Sequence, residues 1–204
     1  MLARIHLAMI TVAICLVAAL VGIVLAGRDE EPQTVGASSA WAGASRPREA
    51  GVPDFTLRDQ DGNTVRAADL RGKPAVFAFI YSTCRDTCPA QVQTIRGAMD
   101  EIGHDVPVYG VSVDPANDTP RSAQAFLLEQ KMKGRMAFLV GSREALAPVW
   151  RAFGIAPQTE GREHSSYTVL VDAQGRQRVG FPAGVLTQRD LAHDLAQLTA
   201  VSQG

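Results

Sequence analysis

The stretch KPAVFAFIYSTCRDTCPAQ, residues 73–91, constrains the fold more than any other part of the chain. It opens with the apolar run 75–81, too short for a globular helix and rich in aromatic and β-branched side chains. That pattern predicts a strand buried on both faces. Ser82 and Thr83 break the run, Cys84 and Cys88 follow, and Pro89 opens a helix, because the first helical position needs no N–H partner. The residue before a proline avoids helical angles. This places Cys88 at the N-cap, with Gln91 as its capping-box partner. A strand that delivers two thiols onto a helix N-terminus marks a reactive site rather than a piece of core.

The chain has three cysteines. Cys15 lies inside an apolar segment and reads as a small hydrophobe. One remaining pair is too few to staple a fold, and a bridge across so short a loop recovers little chain entropy. Cys84 and Cys88 are therefore expected to form a reversible disulfide, to bind a soft metal, or both. The helix N-terminus at Cys88 and the Arg85 cation nearby favour thiolate over thiol.

The N-terminal segment sets the compartment. Residues 7–26, LAMITVAICLVAALVGIVLA, form 20 residues without a charge, about the length a helix needs to cross a bilayer core. Arg4 precedes the run, whereas Arg28, Asp29, Glu30 and Glu31 follow it, a balance favouring the N-terminus inside. The alternative is a cleaved signal peptide, with 24–26 as its small-residue site, but signal cores usually stop sooner. Either way the rest is exported, and the lack of an Arg- and Ser-rich presequence favours a bacterial inner membrane with the domain in the periplasm. A net charge of -1 gives no reason to invoke nucleic acid.

The chain then divides into residues 1–27 as anchor, 28–51 as a flexible linker of Pro, Gly, Ser and charge with Trp41 a stray aromatic, and 52–204 as the folded domain. In the domain, a short hairpin over 55–65 and a helical turn over 67–70 precede the buried strand. A helix over 90–102, a strand over 106–113, a helix capped by Thr119 with Pro120, a strand over 136–140 and a helix capped by Ser142 follow. A hairpin over 166–181 and a helix capped by Thr187 close the chain. Parallel strands with helical crossovers, plus an antiparallel pair at the end, describe a thioredoxin-like mixed α/β sheet with helices on both faces.

A two-thiolate metal site wants a further ligand. His6 lies at the membrane end, and His104 and His193 read as surface histidines. His164 stands in the irregular stretch 158–165, before the strand 166–171, where a thioredoxin-like sheet brings the entering loop beside the cysteines; alone, it is as readily a surface loop residue.

Three segments, FAFIYSTCRDTCPAQ, VSVDPANDTP and EHSSYTVLVDAQGRQRVGF, together resemble the signatures of the Sco/SenC family, in its order and spacing. The resemblance covers residue 52 to the C-terminus. It implies a membrane-anchored, thioredoxin-like copper protein serving assembly of the Cu-A centre of cytochrome c oxidase. Cys84, Cys88 and His164 are then the copper ligands, and Asp114 and Asp118 order the neighbouring loop. The implied partners are the copper-bearing oxidase subunit, a periplasmic copper chaperone or thiol reductant, and the membrane through the N-terminal helix. Arg85 and Glu163 depart from the family's usual proline and aspartate; neither removes a ligand. Zinc would accept the same three groups plus water. The same cysteines also suit an enzyme, a thiol-disulfide reductase that keeps an acceptor protein's cysteines reduced.

Overall fold

The computed structural model describes residues 41–159 and 166–201. Among them, no helix is long and apolar enough to cross a membrane; residues 7–26 lie outside them.

The organising strand forms as the sequence predicts: β4, Ala75–Ile80, is buried at every position. Its side chains alternate between two cores. Val76, Ala78 and Ile80 face one, and Ala75, Phe77 and Phe79 face the other, the period of two that a strand imposes. Phe77 stacks between Tyr109 at 5.4 Å and Phe153 at 4.9 Å. Each such buried ring contributes on the order of 1.5–3 kcal/mol.

Around β4 the sheet grows in both directions. β5 (Val108–Ser112) pairs with it in parallel, and β6 (Ala137–Leu139) extends that side. On the other side β7 (Tyr167–Val171) is antiparallel to β4, and β8 (Gln177–Pro182) is antiparallel to β7. The first core is closed by α1 (Thr87–Ile102), α2 (Pro120–Glu129) and α4 (Gln188–Val201), and the second by α3 (Arg143–Phe153). The hairpin of β2 (Thr56–Arg58) and β3 (Thr64–Arg66) joins the end of β6 through Val140 N–H, which donates to Arg58 O at 2.9 Å. This is the mixed, two-faced arrangement expected of a thioredoxin-like chain.

The linker does not run to residue 51. Ala44–Ser45 form β1, which pairs with β8 and completes a six-stranded sheet in the order β1-β8-β7-β4-β5-β6. Asp194, fully buried on α4, accepts the N–H groups of Ala42 at 2.8 Å and Gly43 at 2.9 Å. A Cβ at residue 43 would lie 2.5 Å from Val179 and 2.6 Å from Phe181, so only glycine lets the chain approach this closely. Trp41, expected to be stray, packs half-buried on the first core with the Arg178 guanidinium 5.6 Å from its ring centroid. A two-residue strand leaves no alternating pattern to read, which is why the sequence resembles a tether there.

Candidate functional site

β4 ends at Ile80, and the chain turns through Tyr81, Ser82 and Thr83 to reach Cys84. Both Cys84 and Cys88 are free thiols, and both are buried. α1 begins earlier than the proline rule suggests. Asp86 is its N-cap, Thr87 its first residue, and Cys88 lies inside the first turn. The reason is local. Asp86 gives no side-chain cap, and Cys84 Sγ accepts the Cys88 N–H at 3.2 Å. A sulfur thus takes the place of a capping oxygen on one of the unpaired N–H groups at the helix start. Pro89, one position further on, has no N–H to satisfy.

This arrangement reverses which thiol is activated. Burial pushes the Cys84 thiol up, but hydrogen bonds from the Cys88 thiol, the backbone N–H groups of Cys88 and Asp86 and the Tyr81 side chain outweigh it. Cys84 therefore lies below the ordinary thiol range. Burial pushes Cys88 well above that range, and its hydrogen bond to Cys84 adds to the effect. The helix start acts on Cys84, the capping sulfur, rather than on Cys88. Arg85 is exposed, and hydrogen bonding, not its charge, sets the Cys84 thiol.

A prediction follows from the lowered value. The charged form of Cys84 is favoured, so its thiolate persists as pH falls below the usual thiol range of about 8–9. Iodoacetamide added to the reduced, metal-free chain should label Cys84 first, with a pH midpoint below that of an unperturbed thiol. Cys88 should stay unlabelled until the chain is unfolded. Peptide mass spectrometry reads both sites, and earlier labelling of Cys88 contradicts the assignment.

The DPANDTP loop, expected to order its surroundings, is bonded directly to the turn that carries the cysteines. Asp118 accepts Ser82 N–H at 2.7 Å and the hydroxyls of Ser82 at 2.5 Å and Ser112 at 2.6 Å. Its burial raises the carboxyl above the usual range despite these donors. Asp114 closes its own turn: Asn117 Nδ2 donates to its carboxylate at 2.8 Å, and Asp118 N–H to its carbonyl at 2.9 Å. Thr119 caps α2 as read, accepting Ser122 N–H at 3.1 Å.

Gln91 does not form the capping box. Its Nε2 donates to Tyr167 O at 2.9 Å and Thr168 Oγ1 at 2.8 Å, tying α1 one turn past Cys88 to the start of β7. Tyr81 is the neighbour that sequence reading missed, and Gln91, singled out as a capping partner, serves instead as a tie to β7. His104 and His193 are exposed, as expected. His164 lies outside the described residues, among which no group of three or more His, Cys, Asp or Glu gathers to hold a metal. What the structure does bring together is two soft donors on one turn, a fit for a soft metal ion.

Residues 43–200 match the SCO1/SenC family model. Protein SenC of Rhodobacter capsulatus is 37% identical over 131 residues, 58% of this chain and 57% of its own length. The chain thus spans little more than half the length of that curated relative. Among solved structures, ScoI of Bradyrhizobium japonicum with copper bound superposes with a TM-score of 0.61 at 28% identity, covering 73% of this chain and 99% of that one. BsSco superposes with a TM-score of 0.66 at 23% identity, covering 78% of this chain and 98% of its own. It is described as a member of the Sco family of cytochrome c oxidase assembly proteins in which a disulfide switch was identified. At that identity the likeness is one of fold, and the fold is thioredoxin-like.

Proposed function

The chain belongs to the SCO1/SenC family, and from that premise we propose that it is a membrane-anchored copper-binding assembly factor. It delivers copper to, or prepares, the Cu-A site of cytochrome c oxidase, with Cys84, Cys88 and His164 as ligands. Residues 7–26 anchor it in a bacterial inner membrane, with the domain in the periplasm. The observation that carries this reading is the pair of free sulfurs on one turn, one of them stabilised as thiolate by the start of α1. Copper-bound ScoI of Bradyrhizobium japonicum, with the same fold, supports the choice of metal.

Copper is the cargo: Cu(I) takes the two thiolates, and Cu(II) is better served once an imidazole joins them. The chain's own residues prepare the donors. Cys84, held below the ordinary thiol range, gives up its proton more readily than Cys88, whose burial favours the thiol. Both must be deprotonated on binding, so uptake falls as pH falls. Asp118 holds Ser82, and with it the turn that presents Cys84. Gln91 holds the start of β7, three residues beyond His164.

The inequality of the two thiols favours a second reading, a thiol-disulfide reductase. The Cys84 thiolate attacks an acceptor disulfide, forming a mixed disulfide and releasing one acceptor thiolate. Cys88 then attacks Cys84 Sγ, its proton passing to the second acceptor sulfur. The acceptor leaves reduced by two electrons, and the chain keeps a Cys84–Cys88 disulfide.

His164 separates the two, because a reductase can lose it. Cells carrying His164→Ala should fail to assemble oxidase at low copper if metal delivery is the task. Normal assembly at every copper level, alongside failure in Cys84→Ala cells, would make the protein a reductase.

A further inference from the structure

At the opposite end of the sheet from the cysteines lies a hollow of about 410 Å³, lined by Trp41 and four arginines, Arg46, Arg48, Arg176 and Arg178, and by no carboxylate. Its place follows from the register. Gln177 pairs with Val171, and Val171 with Ala75, the first residue of β4, whereas Cys84 follows the end of that strand. Six strand residues at about 3.3 Å each put roughly 20 Å between the two ends.

Three of the four arginines are held in place. Arg46 Nη2 donates to Phe153 O at 2.9 Å and Gln177 Oε1 at 2.8 Å. Arg176 and Arg178 share one carboxylate, the buried Asp172, at 2.8 and 3.1 Å, so a single negative charge offsets two positive ones. Arg48 is exposed and has no ion-pair partner among the described residues. A chain with a net charge of -1 thus concentrates four guanidiniums at one point. Nothing in the copper or thiol chemistry uses them.

The occupant is indicated by charge and by chain length. Residues 27–40, fourteen in number, separate the apolar segment from Trp41 and reach at most about 50 Å when extended. Arginines beside a tryptophan are the side chains that settle at an anionic headgroup layer. We propose that this end of the domain docks on the anionic phospholipid headgroups of the bilayer that anchors residues 7–26. The docking holds the cysteine pair on the side turned away from lipid, toward a membrane partner's exposed domain. The inference rests on the anchor reading above.

The test uses the full chain in phosphatidylcholine vesicles with and without phosphatidylglycerol. The chain has two tryptophans, and Trp150 is 3% exposed, so a change in emission reports Trp41. In anionic vesicles Trp41 should shift to the blue and be quenched by brominated lipid. Both effects should vanish in 1 M salt, where the screening length is about 3 Å, and in the double variant Arg48→Glu, Arg176→Gln. Equal Trp41 emission in both vesicle types overturns the proposal. A Trp41 response to inorganic phosphate or polyglutamate that anionic vesicles fail to produce overturns it in favour of a small-anion or acidic-segment site. Carbonate extraction of the vesicles tests the anchor separately. If the chain is extracted the anchor reading fails, and flotation with phosphatidylglycerol vesicles alone then supports docking while its absence overturns it.

Discussion

Replacing either Cys84 or Cys88 with alanine should abolish tight copper binding and, with it, oxidase assembly. One thiolate and one imidazole cannot hold Cu(I) against competing cellular thiols. The loss should exceed about 100-fold in affinity, since outer-shell partners alone cost 10–100-fold when removed. Competition with a Cu(I) chelator measures it. The two variants should differ in stability. Cys84→Ala also leaves the Cys88 N–H without its sulfur acceptor, a cap-like loss of about 1 kcal/mol, whereas Cys88→Ala keeps that N–H and its bond. A denaturant midpoint lower for Cys84→Ala than for Cys88→Ala supports the capping role of the sulfur. Retention of tight Cu(I) binding by either variant removes that cysteine from the ligand set.

The second large effect concerns His164. In the full chain, His164→Ala should lose the intense thiolate-to-Cu(II) charge-transfer band while Cu(I) affinity falls only modestly. Two thiolates suffice for Cu(I), whereas Cu(II) prefers a field containing nitrogen. Disulfide reduction should remain largely intact, because it needs only the cysteine pair. An unchanged Cu(II) spectrum would show that His164 is no ligand.

Much of this was legible from residue order alone. The strand at 75–80 was readable because an all-apolar run too short for a globular helix and rich in aromatic and β-branched side chains fits a strand buried on both faces. α2 and α3 were readable because Thr119 and Ser142 stand as caps before helical patterns, and both side chains accept the N–H groups expected of them. The start of α1 was misplaced because the proline rule assumes a side-chain cap just before the proline, and here the capping atom is Cys84 Sγ, four residues back. The same long step hid which thiol is activated. β1 escaped notice because its anchoring comes from Asp194, about 150 residues away in sequence, and from a glycine chosen for close approach. Neither leaves a local pattern. His164 was singled out by its place before a strand and by the family's signature, and it lies outside the described residues.

Asp118 shows how a loop motif becomes structure. In the sequence, the family resemblance implies only that it orders its surroundings. In the fold its carboxylate joins Ser82, on the cysteine turn, to Ser112, at the end of β5. The loop after β5 is thereby bonded to the turn that presents Cys84.

The central claim is that the reduced cysteine pair is the copper site, and one measurement tests it most directly. The full chain is titrated with copper, once with Cys84 and Cys88 reduced and once with them joined as a disulfide. Binding requires deprotonated thiols, so the reduced chain should take up one copper ion tightly and the oxidised chain none. Equally tight uptake by the oxidised chain would contradict the account, because the metal would then be held elsewhere.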